Sequence, residues 1–579
     1  MATFPDHHAP GSPAAGAPVP GSPVLVVGAG PVGLTAAREL ARRGVPVRLV
    51  DAAPGPAPTS RAVAVHPRTL ETFDQMGVAR GVLASGRHNK AFTMYAAGRR
   101  LVRLQADYAA MPTRFPYTVV IEQTRTEELL REACAEFGVR PEWGVRLTGL
   151  TQDAHGVRAR LVHADGTVEE YRTPWLVGCD GGHSAVRKQL ALPLLGESSE
   201  TWQLADAPVT MDLPPDTIYW AHADGHALMM VPYLREGHWR LLDTAPGPNA
   251  ADETPAEAAA RFSAKLSAGL GREVRVGEPS WTSVFTFQQR MVPTMNDGRV
   301  FVAGDAAHVH SPASGQGMNT GIQEAYNLAW KLAMVVHGQA GRALLDTYSQ
   351  ERVPVGRALL GSTGRATFLV QFKNTLAPVM LPLVFAVVRR VPALRRRIQR
   401  KVLGGMSGLL RHYAESPLTT PGEPPLPPAG SRAAAVAAAL PEGPCARALY
   451  AELRDVRWSL LYVPDGGTAD RTAAKAAGAG EWLSVRAIGA APGQRAAAGA
   501  VPLPDPGGHL RAALGTAAGG WVLVRPDGYL AAGGTRLTDR RLERALSVLG
   551  PVPLHRSSGG SPAVPDTVVS TTRVMEGSR

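Results

Sequence analysis

Six residues in this chain have the types and spacing to hold a dinucleotide. Gly28, Gly30 and Gly33 stand in a G-x-G-x-x-G frame, and Asp51 follows 23 positions after Gly28. Further along, Asp180 in CDGG and Asp305 in AGDAA each follow an apolar run. Gly28 allows a tight turn, Gly30 lets the backbone approach a pyrophosphate, and Gly33 lets helix and strand pack closely. A carboxylate at Asp51 accepts hydrogen bonds from ribose hydroxyls and repels a 2′-phosphate, which suits NAD or FAD and not NADP. A dehydrogenase using NAD does not need two more acid-bearing turns far downstream. A longer cofactor, with a ribityl chain and a tricyclic ring, does.

These residues need elements to position them. Val24–Val27 reads as a buried strand ahead of the glycines. Pro31 fits the first turn of a helix, where its missing N–H costs nothing. That helix runs through Ala36, Ala37, Leu40 and Ala41 and stops near Gly44. Its free N–H groups and positive dipole end suit phosphates. Val45–Val50 is the next strand. Trp175–Cys179 leads into Asp180, with a helix from Ser184, and Arg299–Ala303 leads into Asp305. Thr124 is positioned to cap a helix over Thr126–Phe137. Gly321, Ile322, Ala325, Leu328, Ala329, Leu332 and Val336 follow the i, i+3, i+4 spacing of one long helix.

Between 195 and 295 the pattern changes to extended segments, Ile218–His222, Ala227–Tyr233 and His238–Asp243, broken by one helix at Ala256–Leu270. That reads as a sheet inserted as its own domain. The expected layout is a disordered tail at 1–21 and a nucleotide-binding domain in two parts, 22–194 and 296–416 with a helical extension. The sheet domain lies at 195–295, a linker at 417–432, a separable C-terminal domain at 433–555 and a disordered tail at 556–579.

Among the 579 residues the net charge is +12, but basic and acidic residues mostly interleave and no nucleic-acid motif accompanies them. Three scattered cysteines are too few for a disulfide framework or a zinc site, which fits a reducing cytoplasm. Residues 1–21 lack the basic and apolar regions of a signal peptide. The longest apolar run, Leu376–Val388, has 13 residues with two prolines and is too short to span a bilayer. The cluster Arg389–Lys401 carries seven basic residues, either a solvated helix face or a contact with an anionic surface. His308 and His310, with no evident carboxylate partner, read as loop packing and not as a metal site.

Together, GAGPVG at 28–33, SRAVAVHPRTLE at 60–71, QTRTEELL at 123–130, VGCDGGHSAVR at 177–187 and GDAAHVHSPASGQGMNTGIQEAYNLAWKL at 304–332 resemble one family. They are similar to the FAD-dependent aromatic hydroxylases, single-component flavoprotein monooxygenases of the para-hydroxybenzoate hydroxylase type. RPDG at 525–528 resembles the thioredoxin-like C-terminal domain of the phenol and polyketide hydroxylase subgroup. The resemblance implies an α/β fold: a Rossmann-like FAD-binding domain, an inserted β-sheet substrate domain and a thioredoxin-like C-terminal domain. Without a CxxC motif, that last domain reads as structural or dimer-forming.

Position by position, the resemblance implies roles. Arg61 lies near the flavin and pyrophosphate, and Gln123 reaches the ribityl chain or ring edge. Asp180 belongs to a motif linked to both FAD and NADPH, and Gly304-Asp305 binds a ribityl hydroxyl. The Pro312 carbonyl faces the flavin where the substrate sits, and the N–H groups of Gly317, Met318 and Asn319 meet the pyrimidine edge. Tyr233, with Trp220 and His222, lies on the sheet that roofs the substrate, and Pro312 and Tyr233 are the catalytic candidates. No residue stands out as a general base.

The implied reaction uses NADPH or NADH to reduce FAD. O₂ then gives a C4a-hydroperoxyflavin that hydroxylates a bulky aromatic or polyketide-like substrate. Two alternatives remain at this point: Baeyer–Villiger-type or antibiotic-inactivating oxygenation on the same site, and a non-catalytic flavin-binding protein. A monomer or homodimer without nucleic-acid partner or membrane span is expected.

Overall fold

Two sheets meet over the glycine-rich turn, and a third sheet closes the far end of one shared helix. The structure, a computed structural model, describes residues 23–550 apart from 60–61, 106–107, 109–110, 224–225, 311–314, 372–389, 392–393, 395–396, 398–402, 423 and 490–495. Both expected tails, Arg61, Pro312, the apolar run 376–388 and most of the basic cluster lie outside the described residues.

The first sheet has the order Asn296–Asp297, Val300–Val302, Leu176–Gly178, Val24–Val27, Val47–Asp51, Pro141–Trp143. Only the Asn296–Asp297 edge is antiparallel. Val24–Val27 is buried at every position, as a parallel strand covered on both faces must be. It pairs with Val47–Asp51 on one side and Leu176–Gly178 on the other. The chain therefore leaves it in two directions, and the crevice at that switch point is where ligands of open α/β sheets bind. Val27 is level with Gly178, and Gly178 with Val302. The turns carrying Gly28, Asp180 and Asp305 thus emerge side by side.

Helix Pro31–Arg42 packs on this sheet, and helix Gly317–Val336 packs on it in turn. The second helix comes close to the turns at a glycine: a Cβ on Gly321 would lie 3.0 Å from the Gly304 Cα. One expected cap is corrected. The helix expected from Thr126 begins at Gln123 with Glu122 as its N-cap, so Thr124 lies inside it. Glu122 is already extended and its carbonyl accepts from the Thr126 N–H, which starts the helix earlier.

The large sheet runs His308–Val309, Trp281–Met291, Leu195–Met211, His238–Asp243, His226–Pro232, Thr217–Ala223, Ala91–Ala96, Arg99–Gln105, with Val274–Val276 pairing Leu195–Met211. It draws strands from outside 195–295, because the hairpin at 91–105 supplies Phe92 and Met94 to one of its faces. Alternation along the strands sorts the large residues. Tyr95, Tyr219, Met230, Trp239 and Leu241 face helix Pro255–Leu270 through Phe262 and Leu266. Trp202, Leu204, Ile218, Trp220, Met229, Val231 and Tyr233 gather on the other side with Val63 and Val120 of the nucleotide-binding half.

The third sheet has the order Val501–Leu503, Leu483–Ile488, Trp458–Tyr462, Trp521–Val524, Leu530–Gly534. The first three strands are parallel and the last two antiparallel. It is not loosely tethered. Trp330, Met334 and Leu344 share a core with Trp458, Leu460 and Leu523. Beneath them Glu351, fully buried, accepts from Arg525 Nη1 and Nη2 at 2.5 and 2.9 Å, from Lys331 Nζ at 2.7 Å and from Asn327 Nδ2 at 2.8 Å. Asp527 accepts from Arg525 at 2.6 Å and from the Trp330 indole at 3.2 Å. The expected linker is anchored too: Leu418 is buried, the Thr420 N–H donates to the Ala531 carbonyl, and buried Arg432 pairs with Glu71. The expectation of a separable C-terminal domain overlooked these contacts, because Pro- and Gly-rich sequence conceals the buried charges on either side.

Candidate active site

The glycine turn is closed by packing on two sides and open on one. Gly28 has φ +105°, and a Cβ there would sit 2.3 Å from the Cys179 carbonyl oxygen. A Cβ on Gly33 would be 1.8 Å from the Gly28 carbonyl oxygen. At Gly30 a Cβ would meet nothing within 4 Å, so the backbone there borders open space at a helix N-terminus. Such a backbone has the room and the dipole to cradle a pyrophosphate. Asp51 stands beside it: Oδ2 accepts from the Ala29 N–H at 2.6 Å and Oδ1 from the Ala53 N–H at 2.8 Å. The carboxylate holds the glycine turn while remaining part-exposed at the strand end.

Asp180 has a different local task. Its Oδ1 accepts from the Ser184 hydroxyl at 2.5 Å, and its Oδ2 from the Ala185 and Val186 N–H groups at 2.7 and 3.1 Å. It caps helix Ala185–Gln189 from below, while Ser184 serves as the N-cap. Burial raises its pKa, against the hydrogen bonds, which favour the carboxylate.

Asp305 is exposed on a 3₁₀ turn, Gly304–Ala306. The turn is set from beneath by Glu324, a residue the sequence reading missed. Glu324 Oε2 accepts from the Gly304 N–H at 2.9 Å, and Oε1 pairs with His308 Nε2 at 2.8 Å. The expectation that His308 lacks a carboxylate partner is therefore corrected: the partner lies on the long helix, 16 positions away. Burial works against both charges, yet their attraction prevails, raising the His308 pKa and lowering that of Glu324. His310 stacks over His308 with centroids 5.9 Å apart.

Helix Gly317–Val336 starts after Gln316 with no side-chain cap, and among the described residues the N–H groups of Gly317, Met318 and Asn319 at its positive end meet no acceptor. Asn319 ties that end down: Nδ2 donates to the Ala64 and Gly315 carbonyls, both at 2.8 Å, and Oδ1 accepts from the His66 N–H at 2.9 Å. Gln123 Oε1 accepts from the Ala62 N–H at 2.9 Å, which sets Gln123 next to the segment that carries Arg61. Arg61 and Pro312 themselves lie outside the described residues.

Tyr233 is buried at the edge of the apolar face and its hydroxyl donates to Asp206 Oδ1 at 2.9 Å. Arg240 clamps the same carboxylate through Nε at 2.5 Å and Nη2 at 2.8 Å. Burial, and then Asp206, push the Tyr233 pKa well up despite Arg240, so the phenol stays protonated. That suits an oriented donor and not a base. Asp206 and Arg240 carried no sequence signal beyond their place on alternating strands. A cleft of about 550 Å³ opens beside Tyr233, lined also by Val120, Ile121, Glu122 and Arg125.

The donor set fits a flavin dinucleotide: a pyrophosphate cradle at Gly30, a carboxylate at Asp51, an exposed carboxylate at Asp305 and an uncapped helix end at Gly317.

Comparison with known proteins agrees. A family model described as FAD binding domain matches residues 21–363. The chain is 46% identical over 539 residues to the 6-methylpretetramide 4-monooxygenase of Streptomyces rimosus, covering 93% of this chain and 95% of that one. It is 36% identical over 368 residues to the pentachlorophenol 4-monooxygenase of Sphingobium chlorophenolicum, covering 63% and 66%. Among solved structures it is similar to the flavin-dependent monooxygenase PieE in complex with FAD and substrate, with a TM-score of 0.73, 26% identity and coverage of 91% and 99%.

Proposed function

This chain belongs to the family of FAD-dependent aromatic hydroxylases, and from that premise we propose that it hydroxylates a flat, fused-ring aromatic polyketide lying between the flavin cradle and the large sheet. The observation that carries the reading is the sheet face itself. Trp202, Trp220, Met229 and Tyr233 share one side of it with Val63 and Val120 from the cofactor half, an apolar surface turned toward the oxidising site. Aromatic and thioether side chains stack on and adapt to a planar ring system. The 6-methylpretetramide monooxygenase, similar over nearly its whole length, supports a polyketide substrate.

FAD supplies the redox chemistry when bound, with NAD(P)H as donor and O₂ as oxidant. The protein's residues do the rest. Gly28, Gly30 and Gly33 admit the pyrophosphate, Asp51 takes the ribose hydroxyls and Asp305 a ribityl hydroxyl. The N–H groups of Gly317, Met318 and Asn319 oppose negative charge on the pyrimidine edge in a water-poor setting, where such donors count most. Glu324 and His308 fix the turn that presents Asp305. Asp206 and Arg240 fix the Tyr233 hydroxyl at the edge of the substrate face. The apolar face excludes water, which protects the activated oxygen from release as peroxide. The mixed C-terminal sheet, three parallel strands followed by an antiparallel pair, supports a thioredoxin-like domain with a structural role.

The test is NAD(P)H oxidation by the FAD-loaded protein in the presence of polycyclic phenols and quinones, with product mass after turnover in labelled O₂. A product gaining one labelled oxygen atom per NAD(P)H is expected. Stoichiometric peroxide and no oxygenated product with every polycycle would refute the assignment.

A further inference from the structure

We propose that Asp206 is a specificity-determining residue. It selects a polycycle that brings an O–H or amide N–H donor to the Tyr233 end of the sheet face, and it turns away one that brings a carboxylate there. This rests on the reading of that face as the substrate surface. Alternation along strand Leu195–Met211 puts Asp206 on the same side as Trp202 and Leu204. Across the ladder it stands level with Trp281 on one side and Arg240 on the other. The Arg240 guanidinium lies 5.2 Å from the Trp281 ring centroid and 5.9 Å from that of Tyr233. A charged corner is thereby set into an aromatic and aliphatic face.

That corner has spent its donors. Tyr233 has one hydroxyl proton and gives it to Asp206 Oδ1 at 2.9 Å. Arg240 gives Nε to Oδ1 at 2.5 Å and Nη2 to Oδ2 at 2.8 Å. The Arg240 side chain is 1% exposed, so a ligand does not reach it, whereas the Asp206 side chain is 21% exposed. Oδ1 already takes two of these bonds and Oδ2 only one. What the corner still offers a ligand is therefore acceptors: the second lone pair of Oδ2 and the lone pairs of the Tyr233 hydroxyl.

The cleft of about 550 Å³ beside Tyr233 is bordered by a second carboxylate, the exposed Glu122. Of the two arginines on its wall, Arg125 is matched by Glu128 at 2.6 Å, and Arg235 is exposed in the turn after Tyr233. A site built to hydrogen-bond a substrate O–H or N–H rejects the analogue that lacks it more sharply than an apolar pocket rejects by size. A carboxylate facing Asp206 meets like charge as well.

Calorimetry on the full-length, FAD-loaded protein tests this with 2-(hydroxymethyl)anthraquinone, its methyl ether and anthraquinone-2-carboxylate. The alcohol is expected to bind at least tenfold more tightly than either of the others. Asp206→Asn keeps the shape and removes the charge, and is expected to cut the advantage of the alcohol over the carboxylate at least tenfold. Tyr233→Phe keeps the Asp206–Arg240 pair, so the alcohol is expected to keep its advantage over the ether. The native comparison and Tyr233→Phe stand even where Asp206→Asn fails to fold. Equal affinity for alcohol and ether, tighter binding of the carboxylate, an advantage unchanged in Asp206→Asn, or one lost in Tyr233→Phe would each overturn the proposal alone. Failure of all three compounds to bind would overturn it together with the reading of the face as the substrate surface.

Discussion

Replacing Arg525 by Met tests whether the C-terminal sheet and the flavin-binding helix are one cooperative unit. In the native protein two buried cations, Arg525 and Lys331, balance two buried carboxylates, Glu351 and Asp527. Arg525 is fully buried and holds both carboxylates, two bonds to each. Met keeps much of the volume but removes the charge and those four bonds. Two carboxylates then face one ammonium, and breaking a buried pair from one side costs about 3–5 kcal/mol. Lys331 cannot make up the difference, because it carries one charge that is already matched by Glu351 at 2.7 Å. Urea unfolding of the FAD-loaded protein, followed by tryptophan fluorescence and by flavin release, measures the cost. One transition is expected, 3–5 kcal/mol less stable than in the unmodified protein, with flavin leaving in the same step. Adding Glu351→Gln should recover at least ~1 kcal/mol relative to the sum of the single changes, since contacting residues couple by ~0.5–3 kcal/mol. A loss below ~1 kcal/mol, or a C-terminal transition that leaves flavin bound, would refute this account of the seam.

Three further outcomes follow from the site. Asp305→Ala removes charge-assisted bonds worth about 1.5–3 kcal/mol each, so FAD affinity should fall at least tenfold; unchanged flavin occupancy would show that the carboxylate does not reach the cofactor. Trp220→Leu and Tyr219→Leu, neighbours on opposite sheet faces, should differ: the first should raise substrate KM or wasted peroxide, and the second should lower Tm with coupling unchanged. Burial pushes the His222 pKa down to about 3 from an ordinary 6.5, so the fold admits only the neutral imidazole. Its contribution is full above pH 6.5 and is lost as pH falls toward 3, on the order of 5 kcal/mol at ~1.4 kcal/mol per pH unit. Acid unfolding of His222→Phe should be flatter across that window, and an identical slope would contradict the burial argument.

What could be read in the sequence was local. The glycine frame, the acid 23 positions after Gly28 and the apolar strands ahead of Asp180 and Asp305 are short-range patterns, and the structure sets their turns side by side. What escaped were partnerships across the chain. Glu324 meets His308 over 16 positions, Arg240 meets Asp206 over 34, and Arg525 meets Glu351 over 174. No periodicity announces such pairs, since a Glu on a helix looks the same whether it faces water or a buried histidine. The Pro-rich stretch, read as a boundary, gave no sign of the buried contacts that cross it.

The same pairs explain why one helix does so much. Its first turn presents N–H groups on the cradle side, Glu324 sets the Asp305 turn two helical turns later, Asn327 and Trp330 bond Asp527 of the C-terminal RPDG loop, and Lys331 is tied to Arg525 of that loop through Glu351. A displacement of that loop along the helix axis must therefore move Glu324, and with it the Gly304 N–H that it holds. The C-terminal sheet carries none of the cofactor motifs, yet it fixes the register of the element that presents them. Its removal should impair flavin binding even where every residue of the cradle is intact.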